Sequence, residues 1–249
     1  MSLFVELSRR SVDAEIMDDL SCAGPVVDQT LRELDIINRW LGGNQITLDG
    51  IERIIRNLAS KQSGPISIAD LGCGSGELLR RMAEAGRKQR IPLRLVGIDA
   101  NPNIVEFARM HSRDYPEITF LVINVLSPEF ANQRFDILTG TLFFHHFDDE
   151  ALGVLLKQLS SQAGHAILIN DIHRHWLAYY SIRFLTRLFS KSSMVRFDAP
   201  LSVRRAFNRS DWRRIIASAG IDTYLLSWKW AFRWKIIIPA SGSRLAQFW

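Results

Sequence analysis

Residues 66–86 read ISIADLGCGSGELLRRMAEAG. A short apolar run ends at Asp70, glycines alternate at Gly72, Gly74 and Gly76, and apolar residues then recur at helical spacing. A strand, a glycine turn and a helix in succession aim backbone N–H groups at the carboxyl end of a strand, where α/β proteins bind ligands. The spacing is G-x-G-x-G, and Glu77 stands where a dinucleotide fingerprint carries its last glycine. A carboxylate there repels a pyrophosphate, and Asp70 is a second acid suited to a cationic ligand. The turn therefore favours an amino-acid-bearing cofactor over a dinucleotide.

Working outward, LRLVGID (93–99), ITFLVI (118–123), RFDILTG (134–140) and HAILIND (165–171) are further strands. Helices are expected between them at Pro102–His111 and Asp149–Ser160. The strand runs are almost wholly apolar, as when both faces of a sheet are covered. This alternation predicts an α/β, Rossmann-like doubly wound sheet, mostly parallel. After Asp171 the order changes. The aromatic-rich HWLAYYSIRFLTRLFSKSSMVRF (175–197) is expected to form a helical cap inserted over about residues 174–205. SDWRRIIASAG (210–220) is a helix with Ser210 as its expected N-cap, and IDTYLLSWKW with FRWKIIIP closes the sheet in an antiparallel hairpin. Upstream, VVDQTLRELDIINRW (26–40) and about 47–60 are helices separated by Gly42-Gly43. Residues 1–60 form an N-terminal helical lid segment ahead of a main domain at 61–249.

The composition, 47% hydrophobic and 23% charged over 249 residues, is that of a globular protein. Two cysteines, Cys22 and Cys73, leave little room for a disulfide framework or a zinc site, and no metal is expected. No apolar run approaches the ~20 residues that span a bilayer. The opening MSLFVELSRRSVDAEIMDD lacks a signal-peptide core, so a cytoplasmic location is expected. The net charge of +5 is uneven, because Arg174–Lys235 carries 13 basic and 3 acidic residues. Such a segment suits an acidic substrate, a membrane surface or nucleic acid, or is simply a solvated face.

VGIDANP places Asp99 at the end of the second strand, where an acid accepts both hydroxyls of a ribose. Asn124, after the third strand, is placed to meet an adenine edge, with Ala100 and Val125 on either side of the ring. The motifs ADLGCGSGEL, VGIDANP and FDILTGTLFFHHF, in this order and spacing, resemble those of class I S-adenosylmethionine-dependent methyltransferases. The resemblance covers about residues 60–240. It implies that Asp70 and the glycines lie against the methionine part of S-adenosylmethionine and that Asp99 binds the ribose. It further implies that Asn124 and Val125 meet the adenine, while the backbone through Gly140 and Thr141 passes the methionine end. Family members often carry Asp where this chain has Asn124.

Candidate bases for the acceptor's proton are His145, His146, Asp171 and His173, near the carboxyl ends of the fourth and fifth strands. If His145 and His146 lie in extended chain, they face opposite ways and cannot both serve one substrate. The alternation of Asp171, His173 and His175 has metal-ligand character, but no further ligand cluster supports it. Trp176, Tyr180 and Phe184 of the cap, with Trp40 of the lid at Asn38–Gln45, are the expected acceptor-lining aromatics. Arg183, Arg187 and Lys191 form one basic stripe at i, i+4 and i+8. The cap is then either a lid over a large hydrophobic acceptor or a membrane-surface helix.

LRELDIINRWLGGNQ, NDIHRHWLAYYSIRFLTRL, SVRRAF and FRWKIII further resemble the small-molecule methyltransferases encoded beside bacterial type III polyketide synthases, related in fold to the quinone-biosynthesis enzymes. That likeness implies a small phenolic, quinone-like or polyketide acceptor, methylated on oxygen or carbon. An RNA methyltransferase using the basic C-terminal third, and a non-catalytic cofactor-binding protein, are the alternatives. The sequence after the fourth strand, TGTLFF, lacks a base-methylation motif, which argues against nucleic acid. Oligomeric state is left open.

Overall fold

The structure is a computed structural model that describes residues 5–58 and 64–240. The expected helix end at residue 60 and the boundary at 60/61 lie outside the described residues. Seven strands, β1 (Ile66–Leu71), β2 (Leu93–Asp99), β3 (Ile118–Val122), β4 (Phe135–Thr141), β5 (Ala163–Ile172), β6 (Leu225–Lys229) and β7 (Arg233–Pro239), form one sheet in the order β3-β2-β1-β4-β5-β7-β6. The first five strands pair in parallel, whereas β7 runs antiparallel to both β5 and β6. The expected doubly wound sheet with a terminal hairpin is thus the observed one.

Strand side chains alternate between two covered faces, which is why the strands carry so little polar sequence. Ala69, Leu71, Val96, Ile98, Leu138, Ile167, Ile169, Ile236 and Ile238 pack under α6 (Asp149–Gln162) and α9 (Arg209–Ser218), around the fully buried Trp212. Ile66, Ile68, Leu95, Ile137, Leu168 and Ile237 face α2 (Gly43–Leu58), α3 (Glu77–Gln89) and α4 (Pro102–His111). The start of α9 is capped by Asn208, whose side chain accepts from the Asp211 N–H, rather than by Ser210. A short helix, α5 (Pro128–Ala131), follows β3.

Above the carboxyl ends of the strands sit α1 (Pro25–Trp40), the beginning of α2, and the pair α7 (Trp176–Phe189) and α8 (Ser193–Arg205). Glu33 of α1 ties this layer together: its carboxylate accepts from the Ser190 hydroxyl and from the backbone N–H groups of Lys191 and Ser192. Residues before α1 run across α8, where Asp198 accepts from the N–H groups of Ile16 and Met17 at 2.8 and 3.1 Å. Among the described residues no helix is long and apolar enough to cross a membrane.

Candidate active site

The glycine turn closes between β1 and α3. Gly72 and Gly74 have φ of +66° and +52°, a region where L side chains are strained. A Cβ on Gly72 would also run into the Phe143 ring. The turn borders a cavity of about 840 Å³ roofed by α1, α7 and α8 and by the segment around Glu15. Asp70, Gly72, Gly74, Asp99, Ala100, Asn124, Val125 and Thr141 all line it. Gly76 and Gly140 do not. A side chain at Gly76 would meet the Phe120 ring and one at Gly140 the Phe144 ring, so both glycines serve packing behind the wall.

The acids are arranged for a positively charged, ribose-bearing ligand. Asp70 is 2% exposed, and its Oδ1 has no hydrogen-bond partner although it borders the cavity. Burial, aided by the charge of Asp99, pushes its carboxyl well above the usual range. An ammonium group would relieve that penalty. Asp99 accepts from the N–H groups of Gly74 (3.3 Å) and Asn101 (3.0 Å), which aims it across the turn. Asn124 accepts from the Leu126 N–H at 2.9 Å through its Oδ1. A buried bare carboxylate, a second acid and a turn free of side chains together fit the amino-acid-bearing cofactor expected from the sequence.

At the other end of the cavity stand His145 and His146. They lie in a 3-10 turn, Phe144–His146, and not in extended chain. Their rings sit 4.4 Å apart on the same side, and both line the cavity, contrary to the expectation that they face opposite ways. His145 places its Nδ1 2.7 Å from Asp171 Oδ1, and its backbone N–H donates to Asp171 Oδ2 at 3.0 Å. His146 places its Nδ1 2.6 Å from Asp18 Oδ1, and Arg205 also donates to Asp18. Each carboxylate accepts from Nδ1, which fixes the ring and keeps Nε2 out of that hydrogen bond. Asp171 is fully buried. Burial raises its pKa, but the adjacent His145 more than offsets this, so the group stays below the usual range.

His173 does not join them. It packs against Trp234 and His175 outside the cavity wall, where burial first, then the charges of His175 and Arg174, push it down to about 4. The alternation of Asp171, His173 and His175 is not a ligand set either. Among the described residues, the group within metal-holding reach is Glu15, His145 and His146.

The aromatics expected to line the acceptor site face away from the cavity. Trp176, Tyr180 and Phe184 are 59%, 37% and 65% exposed and lie outside the cavity, which α7 lines with Leu177, Ala178, Ser181, Ile182 and Leu185. Beside its basic stripe α7 carries apolar residues on more than one face, Trp176 and Phe184 as well as Ile182 and Leu185, so spacing could not select its inner face. Trp40, at the end of α1, is 85% exposed, and Asn38, Leu41 and Asn44 line the cavity in its place.

Three cavity residues had no sequence signal beyond their charge: Glu15, Asp18 and Arg233. Glu15 is 6% exposed, its Oε1 lacks a hydrogen-bond partner, and it lies 3.6 Å from His145 Nε2 and 3.7 Å from Arg205 Nη1. Burial pushes its carboxyl up to about 7 despite the opposing charges of His146 and Arg205. A carboxyl raised on folding stabilises the fold fully only below its unfolded pKa, and the contribution is lost as pH rises through 7. Glu15→Gln is therefore expected to match the wild type near pH 4.5 and to exceed its stability by about 3 kcal/mol at pH 8. Denaturant unfolding at the two pH values measures this, and a gap that fails to widen with pH contradicts it.

Residues 68–163 match a family described as methyltransferase domain. The chain is 27% identical over 197 residues to a ubiquinone biosynthesis O-methyltransferase of Aromatoleum aromaticum, covering 72% of this chain and 71% of that protein. Among solved structures it is similar to the plantazolicin methyltransferase BpumL in complex with SAH, at 15% identity and a TM-score of 0.59, over 87% of this chain and 95% of that one. It is also similar to the DszA carbon methyltransferase, at 15% identity and a TM-score of 0.61, over 81% of this chain and 54% of that one. At such identities the structural likeness is one of fold.

Proposed function

Given that this chain is a class I S-adenosylmethionine-dependent methyltransferase, we propose that it methylates a hydroxyl of a small hydrophobic aromatic acceptor of phenol, quinone or polyketide type. The observation that carries this reading is His145. Its Nδ1 is anchored on the buried Asp171, its Nε2 has no partner nearer than Glu15 Oε1 at 3.6 Å, and the residue lines the same cavity as Asp70 and Asp99. When bound, the cofactor supplies a methyl group already activated on a positively charged sulfur. The protein is left to place the acceptor, exclude water and take its proton.

Asp70 receives the cofactor's ammonium group, Asp99 its ribose, and Ala100, Asn124 and Val125 its adenine. His145 takes the hydroxyl proton at Nε2 while Asp171 stabilises the charge that forms on the ring. His146, held by Asp18, lines the cavity beside His145 and shapes that side of the site. Leu177, Ile182 and Leu185 of α7, with Val203 of α8, form the apolar wall for the acceptor. The kinship with an O-methyltransferase supports oxygen as the methylated atom.

The test is transfer of a labelled methyl group to alkylated phenols and hydroquinones, with product mapping by mass spectrometry. Ile182→Ala should raise the acceptor KM about tenfold, from loss of ~1.5 kcal/mol of apolar contact, and leave cofactor affinity unchanged. Methylation of RNA in place of phenols, or product methylated only on carbon, would overturn the assignment.

A further inference from the structure

We propose that Arg233 docks a carboxylate of the acceptor, making the substrate class a hydroxyaryl acid and not a neutral phenol. This rests on the reading above that an acceptor binds beside His145. Arg233 opens β7, borders the cavity and is 4% exposed. Its Nη2 donates to Asn38 Oδ1 at 2.9 Å, while its Nη1 is buried without a partner. Among the described residues no carboxylate forms an ion pair with it. The acid whose charge reaches it is Asp171, whose oxygens already accept from the His145 ring, the His145 N–H and the Ile172 N–H. A buried guanidinium facing an amide and no anion is costly, and burial accordingly lowers its pKa to about 10.

The fold makes space for this side chain. A Cβ on Gly43 would lie 3.0 Å from Nη2 and 3.2 Å from Asn38 Oδ1, so glycine at the head of α2 leaves the guanidinium its seat. The position also separates the site from the cofactor. Two strands, β4 and β5, stand between β7 and the strand of Asp70, an offset of about 14 Å in the sheet. Asp99 is one strand further. Arg233 pairs in register with Ile172, next to Asp171 and therefore on the His145 side of the cavity. A planar fork with a free N–H suits a carboxylate better than a neutral oxygen.

The experiment titrates ligand into the full chain holding S-adenosylhomocysteine, using alkylated hydroxybenzoates and the methyl esters of the same compounds as probes. The wild type should bind the acids at least tenfold more tightly than the esters. Arg233→Met should abolish that discrimination, Arg233→Lys should keep part of it, and S-adenosylhomocysteine affinity should stay the same in all three proteins. The ligand-free Arg233→Met protein should melt no lower than wild type, because an uncompensated buried charge has been removed. Equal binding of acids and esters by the wild type overturns the proposal. A drop in S-adenosylhomocysteine affinity with discrimination intact also overturns it and assigns the arginine to the cofactor's own carboxylate. A lower melting temperature with discrimination intact marks a structural cation and overturns it as well. Binding is read without turnover, so acid-selective binding with no methyl transfer would sink the proposed activity and leave the docking site standing.

Discussion

His145→Gln is expected to lower kcat by two to four orders of magnitude, the usual worth of a positioned general base. Glutamine fills similar space and can still donate to Asp171 Oδ1, so the 3-10 turn and the Phe144 packing beneath it survive. What is lost is the basic ring nitrogen Nε2. Cofactor affinity should stay within about twofold, because the cofactor acids lie on β1 and β2, away from this turn. The rate of the variant should rise with pH toward the pKa of the acceptor hydroxyl, since ionised acceptor no longer needs the base. His146→Gln serves as the internal comparison and should cost much less, because its partner Asp18 is only half-buried and is shared with Arg205. Equal losses in both variants, or a kcat for His145→Gln near the wild type, would remove His145 from the chemistry.

Asp99→Ala should weaken cofactor binding by about 100-fold or more. Two hydrogen bonds to a charged acceptor are lost, at ~1.5–3 kcal/mol each. The same carboxylate accepts from the N–H groups of Gly74 and Asn101 in the free protein. The glycine turn therefore loosens as well, and the loss exceeds that of a residue touching ligand alone. Calorimetric titration with S-adenosylhomocysteine measures it, and Asp99→Asn, which keeps an acceptor oxygen, should fall between. Binding at wild-type affinity by Asp99→Ala would mean that the ribose sits elsewhere. Burial pushes the Asp99 pKa up, so wild-type affinity should also fall as the solution is made acid and the ribose acceptor protonates.

The glycine-turn half of the cavity was legible because it is local. Asp70, Gly72 and Gly74 lie in one strand-turn-helix unit, and Asp99 ends the next strand, so short-range pattern places all four at one sheet edge. The acceptor half was harder to read. His145 and His146 were visible as residues, but their shared orientation follows from a single 3-10 turn that periodicity does not signal. Along α7, Phe184 and Ile182 are both apolar and only two positions apart. Which of them faced inward was set by where α8 and the cavity lay, not by the helix itself.

By itself the sequence determined the alternating strand and helix order, the terminal hairpin and the glycine turn with its flanking acids at one sheet edge, because each depends on contacts between residues near in the chain. The tertiary structure alone decided that Glu15 meets His145, that Asp18 holds His146, and that Arg233 has no counter-ion among the described residues. Those pairings span more than a hundred residues. They exist because the chain before α1 is pinned to Asp198 on α8, and because β7 inserts antiparallel beside β5, bringing its first residue, Arg233, to the carboxyl edge of the sheet. Charge in a sequence carries no information about burial. Only once the layers close does a carboxylate or guanidinium lose its water, and the groups left without partners then mark the site.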